Sequence, residues 1–219
     1  MDIGAATHVM NSMIALVIAL CFHEAAHALA AKLQGDDTAQ RAGRLTLNPI
    51  PHMDPLGTVL FPLLGLISGA AIFGWAKPVP VNPQNLKFPK WGYVAVSLAG
   101  PAMNIVLCFL AILAHGFYQR HGESFGLLGI PFAKLLVQLV GVNAILAAFN
   151  LIPLPPLDGG SVVSALLPDD LRERFDAVVA PYAIFILMAL SFAGALSWIG
   201  RVAQVIIGVS QQVALTILQ

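Results

Sequence analysis

The sequence predicts an all-α polytopic membrane protein with about five to six membrane-embedded segments. Three observations predict it. Hydrophobic residues make up 58% of the 219 positions and charged residues only 10%, where a soluble domain carries about 25% charged residues. Mean hydropathy is +0.82. Several apolar runs also approach the roughly 20 residues that a spanning helix needs.

Seven apolar segments follow in order. The first, about 8–34, is interrupted only by His23, Glu24, His27 and Lys32. The second, 55–76, lacks charge but is punctuated by Pro62 and by Gly57, Gly65, Gly69 and Gly74. The third, 91–119, holds no Asp, Glu, Lys or Arg. The fourth, 135–152, ends in a proline-laden run that includes Pro153, Pro155 and Pro156. The fifth, 161–167, is too short to span, the sixth covers 177–200, and a weaker seventh covers 202–219. With no repeat or low-complexity tract, the expectation is one membrane-embedded domain over 1–219, its catalytic core at about 8–160 and C-terminal helices at about 161–219.

Composition excludes several classes. Eleven Lys and Arg balance eleven Asp and Glu, which argues against a polyanionic partner, and no basic-aromatic face suggests nucleic acid. Cys21 and Cys108 lie in apolar segments and read as two buried free thiols. The N-terminus lacks the basic start of a cleavable signal peptide, and the segment that follows carries chemistry the protein must keep.

That chemistry is His23-Glu24-Ala25-Ala26-His27. Residues four apart on a helix share a face, so two imidazoles reach one metal ion while Glu24 flanks the water to be activated. Ionisable side chains in the middle of an apolar segment are costly and mark a functional site by default. The bland alternative is a pair of satisfied core histidines beside a stray carboxyl. A catalytic zinc usually takes three protein ligands. His8 lies fifteen residues before His23, too far along a helix rising about 1.5 Å per residue. Asp158 follows prolines that must break the fourth segment, and Gly159-Gly160 let the backbone pass close to another element. It is a candidate ligand and equally a candidate helix cap.

The run His23-Glu24-Ala25-Ala26-His27, then Gly100-Pro101-Ala102-Met103-Asn104, then Asn150 through Pro153 to Asp158-Gly159 resembles the site-2 protease family of intramembrane zinc metalloproteases. The stretch from Gly43-Arg44 through Asn48-Pro49, His52, Asp54-Pro55 and Gly74 to Pro80 is similar to its small bacterial members without PDZ or CBS modules. The resemblance implies a zinc-dependent endopeptidase with one zinc ion on His23, His27 and Asp158, and Glu24 as general base. It implies a substrate or oxyanion contact for Asn150 and a contact to the substrate strand for Asn104. Asn143 reads as structural packing. His52 and Asp54 are a pair behind the ligands, a resting-state fourth ligand, or residues ordering a turn around Pro51 and Pro55. His115 and His121 read as interfacial.

If one metal joins these residues, the first and fourth segments finish on the same side of the membrane. The link from Gly35 to Lys90 then leaves and returns on one face, so segment 55–76 is re-entrant or a broken hairpin, which is tolerated where irregular backbone is buried or lines a cavity. This path puts Lys32, Arg41, Arg44, Lys77, Lys87, Lys90, Arg172 and Arg174 on one side and Arg120, Lys134 and Arg201 on the other. The positive-inside rule makes the first side cytoplasmic. The expectation is a bacterial inner-membrane protein whose site opens towards the cytoplasm and whose partners are the bilayer and single-span substrates undergoing regulated intramembrane proteolysis. Within 41–81 a short β edge would pair with the unwound substrate. Two other readings compete: a non-proteolytic zinc-binding scaffold, against which Glu24 argues, and a cation transporter, which usually shows inverted repeats absent here. Substrate identity and oligomeric state are not written in the sequence.

Overall fold

The computed structural model describes residues 3–68, 74–121 and 129–218. Among them three helices are long and apolar enough to cross a membrane: α1 (Ile3–Leu33), α4 (Pro89–His121) and α5 (Gly129–Asn150). They pack against one another in all three pairings. Alanines let them approach closely, with Ala15, Ala19, Ala28, Ala144 and Ala147 all fully buried. No strand occurs among the described residues.

Several short elements lie between α1 and α4 among the described residues. A short α2 (Thr38–Arg41) is followed by a helical run that opens at Pro55 and continues as α3 (Phe61–Ser68). The Asp54 carboxylate caps that run by accepting from the Leu56 and Gly57 N–H groups at 3.0 and 2.7 Å. The part of this segment at 69–73 lies outside the described residues. On its far side the chain has come back, with Trp75 N–H donating to the Gly57 carbonyl at 3.1 Å. Thr58 Oγ1 donates to the Trp75 carbonyl at 2.9 Å, and the Trp75 ring stacks against Phe61. Residues 74–82 then form a strap without regular secondary structure, in which Pro78 and Pro80 fix φ and restrict the residue before each, so the β edge expected within 41–81 is not formed among the described residues.

A buried carboxylate ties this excursion to α1. Asp36, fully buried just beyond the helix end, accepts from Asn82 N–H at 2.7 Å, Asn85 Nδ2 at 3.1 Å and Thr38 N–H at 3.1 Å, and from the Thr38 hydroxyl. Burial alone would raise its pKa. The hydrogen bonds from Thr38, Asn82 and Asn85 outweigh that and hold it below the ordinary aspartate value. A lowered folded pKa stabilises above the unfolded value, about 3.9, and that stability is lost as pH falls through the folded value. Asp36→Ala is expected to lower unfolding stability by about 2–4 kcal/mol at neutral pH, because it orphans several buried donors. The difference from wild type should shrink below about pH 4. Thermal unfolding of both proteins in detergent across pH checks this.

After α5 the chain turns through 151–157 into α6 (Asp158–Leu166), α7 (Asp169–Val179), α8 (Ala183–Phe192) and α9 (Trp198–Leu218). The apolar run at 177–200 is therefore not one helix. It is broken by a 3-10 turn at Ala180–Tyr182, where Pro181 restarts the chain, and by a turn at 193–197. The fourth apolar segment begins earlier than hydropathy suggests, at Gly129, and the fifth begins at Asp158. Ala148, Ile152, Leu157, Leu187 and Ile199 form a buried cluster that joins the turn to α8 and α9. Cys21 and Cys108 are both buried and free.

Candidate metal centre

The spacing of His23 and His27 puts both rings on the face of α1 that meets α4, and the rings cross edge to face with centroids 4.6 Å apart. Asp158 arrives at the same depth from the first turn of α6. Its Oδ2 lies 3.2 Å from His23 Nε2 and its Oδ1 3.3 Å from His27 Nε2. Leu157, not Asp158, occupies the N-cap position of that helix. Gly159 and Gly160 are needed here: a Cβ on either would fall on the backbone of residues 151–155.

The hydrogen bonds behind the rings define what they offer. His23 Nδ1 faces Asn104 Oδ1 at 2.6 Å. The Asn104 amide nitrogen is occupied, donating to the Ala19 carbonyl at 3.3 Å and to Asn143 Oδ1 at 2.8 Å. His27 Nδ1 faces the Val96 carbonyl at 2.7 Å. Both partners only accept, so both Nδ1 atoms carry the protons and both Nε2 atoms present lone pairs.

Those two Nε2 atoms stand 3.0 Å apart, with the carboxylate beside them. Asp158 Oδ2 is buried and, despite its nearness to His23, forms no hydrogen bond. Three lone-pair donors in mutual contact repel unless a cation joins them. The separations match the roughly 3.3 Å expected between ligands around a tetrahedral ion with bonds near 2.0 Å. These residues fit zinc by donor type, by spacing and by the oriented protons behind them.

Gly100 on α4 is the floor of the site. A Cβ there would fall on His27 Nε2 and the edge of the His23 ring, so only glycine lets α4 pass this close. Glu24, 7% exposed, lines the same cavity as the donors, and its Oε2 accepts the Val79 N–H at 3.0 Å. A cavity of about 510 Å³ opens beside the donors, walled by the strap, by Tyr93, Val96 and Ser97 of α4, and by Leu146, Phe149 and Asn150 of α5.

The remaining predicted residues divide. Asn150 borders the cavity while its amide donates to the Leu146 carbonyl at 3.0 Å. Asn104 does not reach a substrate: it is fully buried and faces His23. The expectation of a contact to the substrate strand is corrected on that ground. Asn143, read as packing, extends the chain of bonds from His23 through Asn104 and donates to the Leu139 carbonyl at 2.8 Å. The signal in the sequence was the cost of leaving two asparagines unpaired in apolar helices. His52 is buried, with Nε2 facing the Thr46 carbonyl at 2.9 Å. Neither it nor Asp54 joins the ligand group among the described residues; both order the loop before α3. Asn104→Ala is expected to weaken zinc binding about 10–100-fold, the usual effect of losing a partner behind a ligating histidine, as read by competition with a chromophoric chelator.

Comparison with known proteins points to zinc metalloproteases. The family model for peptidase family M50 matches residues 126–193. YwhC of Bacillus subtilis, provisionally named a zinc metalloprotease, is 42% identical over 166 residues, 74% of this chain and 71% of that protein. Rip2 of Mycolicibacterium smegmatis, named in the same way, is 31% identical over 178 residues, 80% of this chain and 64% of its own length. The zinc metalloprotease MJ0392 of Methanocaldococcus jannaschii is 32% identical over 81 residues, 37% of this chain and 22% of that protein. No solved structure matches. The fold and the centre define a membrane-associated zinc metallopeptidase. The chain belongs to peptidase family M50, the site-2 proteases.

Proposed function

We propose that this protein is an intramembrane endopeptidase that cuts single-span membrane proteins within their transmembrane segments, as a step of regulated intramembrane proteolysis. The observation that carries the reading is the meeting of His23, His27 and Asp158 inside a bundle of helices long enough to span a bilayer. His23, His27 and Asp158 would hold zinc. When bound there, zinc supplies a Lewis acid that acidifies a water molecule and polarises the scissile carbonyl.

The chain's own residues do the rest. Glu24 takes the proton from the attacking water and returns it to the leaving amine. Asn104 and the Val96 carbonyl keep both imidazoles in the tautomer whose Nε2 faces inward. Asn150, at the cavity wall, donates to the oxyanion or to the substrate main chain. A helical peptide bond is shielded by its own hydrogen bonds and side chains, so the substrate must unwind first. The irregular strap at 74–82, of which Ala76 lines the cavity, offers main chain along which an unwound segment aligns.

The return of the chain from Gly57 to Trp75 supports a re-entrant path for 55–76, and the eight basic residues around it support a cytoplasmic opening at a bacterial inner membrane. The whole chain, 1–219, then acts as one membrane-embedded domain with its core at about 8–160.

The test reconstitutes the zinc-loaded protein in vesicles with a single-span substrate and maps the products by mass spectrometry. A cut inside the apolar span is expected. Cleavage confined to soluble flanks, or none, removes the intramembrane reading.

A further inference from the structure

Arg44 is a buried cation beside the site that the reaction described above does not use. It is 6% exposed, and no carboxylate pairs with it among the described residues. Its guanidinium instead forks onto the strap, with Nη1 donating to the Pro78 carbonyl at 3.2 Å and Nη2 to the Lys77 carbonyl. The next N–H along the chain belongs to Val79, the group that holds Glu24 Oε2. Burial pushes the guanidinium's pKa down and the charge of Glu24 opposes that shift, so the two groups lie within electrostatic reach. A buried cation is retained at a cost unless its environment uses it.

We propose that Arg44 is a positioning residue for peptide hydrolysis: by clamping the carbonyls of Lys77 and Pro78 it sets the Val79 N–H, which holds the Glu24 carboxylate in one orientation at the head of the cavity. Several other bonds tether the strap, to His52, Gly57 and Thr58 before this point and to Asp36 after it. Arg44 alone among these partners touches the two peptide units immediately before Val79. A planar fork suits two carbonyls one residue apart, and an ammonium does not reproduce it. Arg44 touches neither the metal ligands nor the cavity, so its effect reaches the reaction through the strap. This rests on Glu24 being the base, as proposed above.

The test is a double-mutant cycle on the full chain in zinc-loaded vesicles with a single-span substrate. The variants are Arg44→Gln, Arg44→Lys, Val79→Pro, which removes the N–H, and Arg44→Gln/Val79→Pro, with Glu24→Gln as reference. Zinc content and thermal unfolding are read beside kcat and KM. Arg44→Gln is expected to lower kcat about 10–100-fold, the scale of an ångström-level misplacement of a catalytic group. KM should stay within about threefold and zinc content unchanged. Val79→Pro should lower kcat similarly, and the double variant should be no slower than about threefold below either single, because both remove one linkage. Arg44→Lys should fall between wild type and Arg44→Gln. If Arg44→Gln does not accumulate folded, Arg44→Lys takes its place in the cycle, with at least about a fivefold kcat loss expected. Multiplicative losses in the cycle, wild-type kcat in the Arg44 variants, or a loss that follows zinc content overturn the proposal. If Glu24→Gln is inactive while Arg44→Gln cleaves normally, this proposal alone fails; if Glu24→Gln cleaves like wild type, both readings fail together.

Discussion

Glu24→Gln is expected to reduce cleavage of a single-span substrate by about 1,000-fold or more while the protein keeps its full complement of zinc. The substitution preserves size and retains an oxygen that accepts the Val79 N–H, so the strap and the neighbouring imidazoles have no reason to move. What disappears is the ability to take a proton from water and return it to the leaving nitrogen. One positioned acid-base group is worth about 10²–10⁴-fold, and here the same side chain serves both transfers. Rates of product formation in vesicles, with zinc measured by mass spectrometry on the same samples, decide the matter. Undiminished cleavage sinks the assignment of Glu24. Loss of both zinc and cleavage would move Glu24 from the reaction to the ligand sphere.

Gly100→Ala should be nearly as damaging although it adds a single methyl group. The new Cβ would occupy the position of His27 Nε2 and overlap the His23 ring. Both rings are held from behind, by Val96 and Asn104 respectively, so they cannot swing aside without breaking those bonds. The expected result is zinc binding weaker by about 100-fold and cleavage lower by at least as much, on the scale of a misplaced ligand set. Gly141→Ala on α5 is the control, because a Cβ there meets nothing within 4 Å; it should leave both quantities unchanged. Equilibrium zinc titration of the two alanine variants makes the comparison. Wild-type affinity in Gly100→Ala would mean that α4 does not press on the donors as the structure has it.

Much of this site was legible before any coordinates, and the reasons are physical. Two histidines four apart leave little freedom for a shared ligand. Prolines after Asn150 force a break that delivers Asp158 to the depth of those rings. Hydropathy finds α1, α4 and α5 because a long apolar helix has few alternatives. The parts that stayed hidden depend on contacts between distant residues. Nothing local tells Asn104 to face His23 rather than the cavity, or to take Asn143 as its own partner, since an amide in an apolar helix accepts any nearby backbone. Asp36, beside Gly35 and Asp37, reads as an ordinary surface loop, yet it is the buried tie between α1 and residues 82–85. The run at 177–200 misleads for another reason: hydropathy sums side chains and is blind to a proline restart or a tight turn inside an apolar stretch.

The apolar cluster of Ile152 and Leu157 with Leu187 and Ile199 has a consequence for the C-terminal helices, which bear no ligand and no base. They act as a buttress behind the turn that presents Asp158, so this carboxylate is braced from a distance by apolar bulk. A core-shrinking change such as Leu187→Ala is then expected to disturb the Asp158 carboxylate without touching it.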